Sequence, residues 1–509
     1  MKAMFQRKQI DNSHFDDQGT AFIWMWSVFC MFHLTRRIFE IDFDNPGLLY
    51  ILATLFSLLA ILKPRLMYPF VISVVLGLLA TLGTMPIGSN HTLMRIVLMT
   101  GMVFSFLYVF VQQRHILHIR AGDFYASFAP FGKAMLAIMY FYGVFHKLNT
   151  DFLDPSTSCA VKLWELYPLP FGLADALWTH YIAIYAALII ETAIIVMLFI
   201  PHLKYAGLLL GLAFHFILGI NGYRFFVAFS SMTFSLHFLF LSADFVSRFQ
   251  QGKTGVFILK NRWNYPVLVF AMLALYGATL ALDLMSFYYA TLSMFITVSV
   301  GIMSAVAIYT RNAVVRLDNT WRGLFTPNSI LYLLSALYFI SCAMPFIGLK
   351  TQQNLNMFSN LYTEQGQTNH IVFTKPPYLF DYQNDVVRIL RSNVPFFREL
   401  RDEGLLIPYF EFRRMLSQAS EEHMKHLMLE YERNGKIEMI TLDKVTDPGV
   451  LEPLSPWLED WFHFRFVATK RPMVCNGSRL PESRDEIYKG RDDDMQQNLK
   501  QNKKSDLFR

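Results

Sequence analysis

The sequence predicts an all-α protein with many membrane spans, followed by a small α+β domain outside the membrane. Of its 509 residues, 54% are hydrophobic and only 17% are charged, whereas soluble globular proteins have about 25% charged residues. Apolar runs long enough to cross a bilayer recur as far as about residue 350, and the remaining residues are rich in charge. The net charge of +6 is spread over loops and the C-terminal region, so the composition argues against nucleic acid as a partner.

The N-terminal residues 1–19 are polar and mixed in charge. A secretory signal peptide has a different pattern, so we expect residues 1–19 to be a cytoplasmic segment and the first apolar run to be an uncleaved anchor. Apolar runs of about 18 to 25 residues then predict about eleven spans, and no fewer than eight, within a transmembrane domain of residues 20–350. The candidates lie near 20–34, 46–62, 66–84, 92–111, 130–149, 177–200, 204–220, 224–242, 265–285, 287–310 and 328–349.

Basic residues fall mainly in alternate loops, as the positive-inside rule predicts for a multi-pass membrane protein. The loop that contains Arg36 and Arg37 is an exception. With a cytoplasmic N-terminus, this pattern places the loop 150–176 and everything after about Lys350 on the outer side. We therefore expect a protein of the cell (inner) membrane with an extracytoplasmic C-terminal domain.

The C-terminal part is predicted to be a soluble domain over residues 351–480. Charge-rich patterns at 384–402 and 421–433 predict helices, and the stretch KIEMITLDKV at 436–445 predicts a strand. Residues 481–509 contain almost no apolar side chains, which predicts a disordered tail.

Ionisable side chains inside predicted spans are candidates for function, because burying them in a bilayer is costly. Glu191 lies near the middle of its predicted span, where it is either a functional group or a structural hydrogen-bonding group. His215 lies in the outer third of its span, and His237 in the inner half of the next, where packing roles are the usual ones. His91 and Asn90 mark the outer start of a span, where Asn90 could simply cap the helix.

The proposed topology brings His91, His215 and the pair His146-Lys147 to a similar depth near the outer face. One explanation is that helix ends attract polar residues, and a terminal lysine often only extends its ammonium to the headgroups. Two chemistries also fit: histidines on facing helices can ligate a haem or a transition metal, and a lysine in a water-poor pocket can act as a general base. The chain has no standard metal-binding spacing, so no metal is predicted.

The segment FYGVFHKLNTDFLD, residues 141–154, resembles the catalytic segment of vitamin K-dependent γ-carboxylase and of the related horizontally transferred transmembrane (HTTM) domain family. In that family a lysine followed by Leu-Asp/Asn-x-Asp-aromatic closes a helix, and the matching residues here are Lys147, Leu148, Asn149, Asp151 and Phe152. The Asn90-His91 pair and the Phe-His helix that contains His215 are similar to further family motifs. Glu191 lies where bacterial members carry a carboxylate.

The resemblance implies an enzyme in which Lys147 is the base, with His91 and His215 as further catalytic residues. Its substrate would be a reduced vitamin K-type naphthoquinone dissolved in the membrane lipid, with O₂ and CO₂ as co-substrates. The quinol would become an epoxide, and the strong base formed with it could drive γ-carboxylation of glutamate in a secreted protein. We expect Asn90, His146, Asn149, Asp151 and Glu191 to contribute to substrate binding.

Other functions remain open, because the C-terminal part is much shorter than that of the animal carboxylase and no propeptide or glutamate site can be matched. One alternative is a non-catalytic membrane protein that binds a lipid or a quinone. The other is an intramembrane redox protein with haem or a metal.

Two of the four cysteines, Cys159 and Cys475, fall on the predicted outer side. An oxidising compartment would allow a disulfide between them that ties the outer domain over the loop after Lys147. The alternative is that both remain free thiols, with Cys475 close to the polar tail.

Overall fold

The structure is a computed structural model. It describes residues 18–30, 32, 45–85, 89–113, 119–167, 172–221, 226–251, 287–310, 325–417, 427–441, 444–446, 448–452, 454–469 and 475. The chain divides into two compact units. The first contains residues 1–84, 91–144 and 163–339, and the second contains residues 85–90, 145–162 and 340–509.

The apolar part of the chain is helical, as the hydropathy pattern predicts. Helix α1 covers residues 18–30. The following helices are α2 (Asn45–Leu62), α3 (Met67–Leu82), α4 (Asn90–Gln113), α5 (Ala121–Phe145), α6 (Thr150–Leu153), α7 (Cys159–Trp164), α8 (Leu177–Phe199), α9 (Lys204–Gly219), α10 (Phe226–His237), α11 (Ala243–Gln251), α12 (Phe287–Thr310) and α13 (Ile330–Ala343). Short 3₁₀ turns extend α10 over Phe238–Phe240 and α13 over Met344–Ile347.

Within the described ranges, five helical segments are long and apolar enough to cross a membrane, and a sixth is obtained if a pair bent by 104° counts as one span. The five are Asn90–Gln113, Ala121–Phe145, Leu177–Phe199, Thr291–Thr310 and Ile330–Ile347, and the bent pair is Phe226–Phe240 with Ala243–Phe249. The expected eleven spans are therefore not confirmed. Helix α3 has 16 residues, which gives a length of about 24 Å against a hydrocarbon core of about 30 Å. The expected span at 265–285 lies outside the described residues.

Close contacts at small residues pack the helices of the first unit. Ser57 of α2 and Ser73 of α3 share a hydrogen bond of 2.6 Å. A Cβ atom added to Gly207 of α9 would lie 2.7 Å from Cβ of Met197 in α8. Such approaches are typical of membrane helices, where backbones come close at glycine and serine.

The second unit contains a six-stranded antiparallel sheet in the order β5-β4-β3-β1-β2-β6. The strands are β1 (Val386–Ser392), β2 (Leu405–Pro408), β3 (Leu429–Arg433), β4 (Lys436–Thr441), β5 (Lys444–Val445) and β6 (Val467–Ala468). Helices α14 (Pro395–Asp402), α15 (Tyr409–Ser417) and α16 (Pro456–Trp461) complete it, with a 3₁₀ turn at Pro448–Leu451. Asn434 and Gly435 both have positive φ between β3 and β4, as a tight hairpin turn requires.

The helices expected at 384–402 and 421–433 are wrong in part, because 386–392 and 429–433 are strands. Their charged residues form the outer face of the sheet, where Arg388 pairs with Glu432 and Arg391 with Glu430 across neighbouring strands. The intervening side chains, such as Val387, are buried in the core. The single strand expected at 436–445 is confirmed only in part, because the stretch forms two strands, β4 and β5, that pair antiparallel with each other. The predicted tail at 481–509 lies outside the described residues.

Candidate functional site

The turn that carries Lys147 begins where α5 ends. The N–H of Leu148 donates to the carbonyl of Phe145 at 3.1 Å, and the N–H of Asn149 donates to the carbonyl of Lys147 at 2.9 Å. Lys147 itself is half-buried, and its Nζ lies 5.9 Å from the ring centroid of Phe152. The lysine is therefore placed at a fixed point directly after an apolar helix.

Asn149 holds this turn together and is fully buried. Its Nδ2 donates to the carbonyls of His146 and Ser359, at 2.8 and 2.6 Å. Its Oδ1 accepts the N–H of Phe152 at 2.8 Å and so caps α6. These bonds occupy the carboxamide, so Asn149 shapes the backbone around Lys147. The substrate contact that we expect for it stays a prediction.

The backbone of residues 369–371 supports the same turn. The N–H of Thr150 donates to the carbonyl of Asn369 at 3.0 Å, and that of Ile371 donates to the carbonyl of Leu148 at 2.9 Å. Since the Phe145 carbonyl can only accept, the His370 Nε2 that lies 2.9 Å from it must carry the proton. His370 Nδ1 then accepts backbone N–H groups in the next turn.

His146 precedes the lysine and is buried against aromatic rings. Its ring centroid lies 5.7 Å from that of Phe346. Burial lowers the pKa of His146 to about 3, although hydrogen bonding with the backbone of Leu355 and Cys342 acts in the opposite direction. His146 is therefore neutral at physiological pH, and it adds no positive charge beside Lys147.

Asp151 lies on an open depression of about 640 Å³. Its Oδ1 accepts a hydrogen bond of 3.0 Å from the hydroxyl of Thr150, and the carboxylate is mostly buried. The depression is lined by Thr150, Asp151, Thr368, Asn369, His370, Ile371 and Thr374. Asn90, also in the second unit, accepts the N–H of Leu355 through Oδ1 at 2.7 Å.

The structure joins Cys159 and Cys475 by a disulfide, and their Cα atoms are 5.0 Å apart. Two further hydrogen bonds place this bridge. The N–H of Cys159 donates to Oδ1 of Asn360 at 2.7 Å, and that of Cys475 donates to the carbonyl of Thr157 at 3.3 Å. Cys30 and Cys342 are buried free thiols.

His91, Glu191 and His215 belong to the first unit. The rings of His91 and His215 both contact the ring of Phe229, with centroid distances of 6.3 and 5.4 Å. Glu191 approaches α5 so closely that a Cβ added to Gly143 would lie 3.1 Å from its Oε2. The structure thus brings His91 and His215 together around one phenylalanine.

Tyr140 links His215 to His237 through a hydrogen-bonded chain. The hydroxyl of Tyr140 lies 2.9 Å from Nε2 of His215 and 3.1 Å from Nε2 of His237. Nδ1 of His237 lies 2.7 Å from the carbonyl of Thr233 and must therefore be the protonated nitrogen of that ring.

The direction of this chain follows from that assignment. In the neutral His237 ring, Nε2 accepts, so the Tyr140 hydroxyl donates to it. The Tyr140 oxygen then accepts from Nε2–H of His215. The lone pair of a neutral His215 is left on Nδ1, which is the nitrogen suited to take a proton.

Three polar residues that were not predicted as candidates from the sequence are buried in the structure. Tyr140 lies among other aromatic residues of α5, and no pattern distinguishes it. Arg95 lies within α4 and is buried, with its Nη2 donating to the hydroxyl of Thr81 at 3.2 Å; an arginine inside an apolar run is a signal that could have been used. Lys350 is the third group. His237, which we expected only to pack, is also part of the hydrogen-bonded chain.

No three His, Cys, Asp or Glu side chains of the described residues form a group that could hold a metal ion. No family model, curated protein or solved structure matches this chain. The functional argument therefore depends on the chemistry of the chain itself.

Proposed function

We propose that the chain is a multi-pass membrane protein whose second unit lies on the extracytoplasmic side. Helix α8 supports a lipid environment, because its most apolar stretch of 18 residues is only 28% buried inside the protein. Trp178 and Ile189 of α8, for example, are 59% and 65% exposed. A continuous apolar surface of this kind is stable in lipid but not in water. The shorter apolar helices and the run at 265–285 would supply the remaining spans of the expected eleven.

Reporter fusions test this topology. Reporters inserted near Ser156 and after Lys350 should lie outside the cytoplasm, and one in the 249–262 loop should lie inside. Detection of the Ser156 and 249–262 reporters on the same side would contradict the proposal.

Within this membrane protein, we propose that Lys147 is the general base that deprotonates a reduced naphthoquinone. The observation that carries the proposal is the placement of Lys147 on a turn fixed by buried hydrogen bonds, directly after the apolar helix α5. A catalytic base must be held in a defined position, and a lipid-soluble quinol must meet its base at membrane depth. A lysine that only extended to headgroups would need no such support.

In the proposed reaction, the amine of Lys147 takes the proton of a quinol hydroxyl and becomes an ammonium. The quinol anion then reacts with O₂, which is the oxidant: one oxygen atom ends in the quinone epoxide and the other leaves as water, so that quinol and O₂ give epoxide and H₂O. The strong base formed on the way could remove a γ-proton from a protein glutamate, that proton ending in the water, with CO₂ adding to the carbanion. In the first unit, the Tyr140 chain supports a role for His215 in proton transfer, because it joins Nε2 of His215 to a second histidine, His237, through a hydroxyl group.

The test is epoxide formation from a reduced naphthoquinone and O₂ by the full-length protein in nanodiscs, measured by mass spectrometry. Lys147→Ala should lower the rate at least about 100-fold, in the range of general base catalysis. Lys147→Arg should be equally slow, because a guanidinium stays protonated. Lys375→Ala, which changes an exposed lysine of the same unit, should keep the normal rate.

Near-normal turnover by Lys147→Arg would show that this lysine is not the base. Quinone binding by the wild type without any epoxide would favour the non-catalytic lipid- or quinone-binding protein instead. Visible absorbance of the purified protein would reveal a haem and favour the redox protein.

A further inference from the structure

The second unit exposes a group of large apolar side chains to which the proposed reaction gives no role. They lie within residues 371–382, which form neither helix nor strand. We call them the apolar patch: Ile371, Val372, Phe373, Leu379, Phe380 and Tyr382. Val372 and Leu379 are 60% and 69% exposed. Exposed apolar side chains grouped in this way usually mark a surface that contacts lipid or another protein.

Contacts within the second unit hold the apolar patch at the ends of two apolar helices. The ring centroid of Phe373 lies 5.7 Å from that of Phe145, the last residue of α5. It also lies 5.3 Å from the ring centroid of Phe346, in the 3₁₀ turn that extends α13. The N–H of Phe380 donates to the carbonyl of Ile347 at 3.1 Å, at the last residue of the candidate span that contains α13. Both parts of the patch therefore lie where candidate spans end.

Backbone contacts fix the position of the patch. At one end, the N–H of Ile371 donates to the carbonyl of Leu148 at 2.9 Å. At the other end, the backbone passes directly against Gly348, which has a φ of 80° and where an added Cβ would overlap the carbonyl oxygen of Phe380. The exposure of these apolar side chains is therefore a property of the fold itself.

We propose that the apolar patch inserts into the outer face of the bilayer, at the level of the headgroups and the upper acyl chains. This inference rests on the proposed membrane topology. Ile371 of the patch and Thr374 also line the depression on which Asp151 lies. Insertion would then place one edge of that depression at the lipid boundary, where a substrate dissolved in lipid could enter it.

The backbone and the composition of residues 371–382 favour shallow insertion. A backbone that is neither helix nor strand does not enter the hydrocarbon core, because its peptide groups would lose their hydrogen bonds to water. Pro376 and Pro377 have no N–H group to satisfy. Tyr378 and Tyr382 carry the apolar ring and polar hydroxyl that are typical of the interface between membrane and water.

The charges of residues 371–382 favour apolar contact over attraction to anionic headgroups. These residues include one lysine and one aspartate, so their net charge is zero. Juxtamembrane segments that bind anionic lipid instead carry clusters of lysine and arginine. We therefore expect the patch to insert equally well into a zwitterionic membrane.

Photo-crosslinking of the full-length protein in phosphatidylcholine nanodiscs tests the insertion. Separate variants carry p-benzoylphenylalanine in place of Val372 or Leu379, whose exposure leaves room for the larger side chain. Mass spectrometry after irradiation distinguishes lipid adducts from protein crosslinks. Ile437, an exposed aliphatic residue of β4 in the same unit, is the matched control position. The lipid adduct yield at Val372 and Leu379 should be at least about tenfold higher than at Ile437.

A further position separates this inference from the topology on which it rests. Ile189 of α8 is exposed on a candidate span, so p-benzoylphenylalanine at Ile189 should form lipid adducts if α8 crosses the bilayer. Adducts at Ile189 without adducts at Val372 and Leu379 would overturn the insertion and leave the membrane topology standing. Absence of adducts at Ile189 would overturn the topology, and the insertion with it.

The lipid composition and the crosslinked species give the remaining outcomes. Replacing part of the phosphatidylcholine with phosphatidylserine should change the adduct yield at Val372 and Leu379 by less than about twofold. Adducts that form only with phosphatidylserine would show binding to anionic headgroups and would contradict apolar insertion. Crosslinks from both positions to a second copy of the chain, without lipid adducts, would show a protein interface and would also overturn the proposal.

Discussion

Acidification should destabilise the sheet-bearing part of the second unit through one carboxylate, Glu411. Glu411 is fully buried, and its Oε2 accepts from Nδ1 of His463 at 2.9 Å, while its Oε1 accepts from Nε of Arg414 at 2.9 Å. Burial alone would raise the pKa of Glu411, but the two cationic or donor partners outweigh it and lower the pKa from 4.5 to about 2. The folded state therefore favours the ionised carboxylate.

The size of this destabilisation follows from the thermodynamic linkage between proton binding and folding. The difference between 4.5 and about 2, at about 1.4 kcal/mol per pKa unit, corresponds to about 3 kcal/mol. Because the pKa is lowered on folding, this stabilisation is fully present above pH 4.5 and is lost as the pH falls towards 2. At pH 3 about 2 of the 3 kcal/mol should already be gone.

Hydrogen exchange of the full-length protein, followed by mass spectrometry on peptides covering Leu405–Ser417 and corrected for intrinsic rates, measures this local stability. Glu411→Gln mimics the protonated acid, so it should be about 3 kcal/mol less stable than wild type at pH 7 and nearly equal to it at pH 2. Asp385→Asn, which removes a half-exposed ion pair with Arg433, should cost at most about 1 kcal/mol at pH 7 and keep the acid-induced loss. A constant difference between Glu411→Gln and wild type from pH 7 to pH 3 would refute the reasoning.

Two further predictions concern covalent and steric constraints. Protein that is alkylated during lysis and denatured without reductant should show two thiols per chain, and a count of four would exclude the Cys159–Cys475 bond. In the chain-entropy model, closing a loop of 316 residues makes this bond contribute roughly 5 to 6 kcal/mol to the free energy of unfolding. Gly211→Ala should destabilise the protein by about 1 to 3 kcal/mol, because the new Cβ would lie 2.2 Å from Nε2 of His237. At Gly301, apart from the nearby backbone of its own helix, no atom of the described residues lies within 4 Å of an added Cβ. Gly301→Ala should therefore be neutral or stabilising by up to about 1 kcal/mol, and equal melting temperatures of the two variants would contradict the predicted contact.

The helical apolar part of the fold could be predicted because hydropathy is a local property of the sequence. A run such as Leu177–Phe199 is apolar over most of its length and must be helical if lipid surrounds it. The strands of the C-terminal region were harder to predict. Val386–Ser392 and Leu429–Arg433 carry charged side chains whose partners lie on the adjacent strand, some 40 residues away. A charge-rich segment then resembles a helical surface until its partner strand is known.

The candidate site shows the same division between local and distant information. Lys147 and His146 are conspicuous because they interrupt an apolar run. The predicted substrate contact of Asn149 stays a prediction, but the sequence gives no indication that its side chain bonds to Ser359, 210 residues away, and organises the backbone. A sequence can therefore mark the position of a reactive side chain without showing which of its neighbours hold it in place.

The segment that begins at Lys350 shows the same limit, because contacts that are remote in sequence help to bury it. This segment is polar and would be read as an exposed loop. It is buried because Leu355 donates to Asn90, 265 residues earlier, and because the backbone of Thr351 donates to that of His463. Hydropathy searches look for charges inside apolar runs, and Lys350 lies just beyond the last one, so the burial of this lysine becomes visible only in the folded chain.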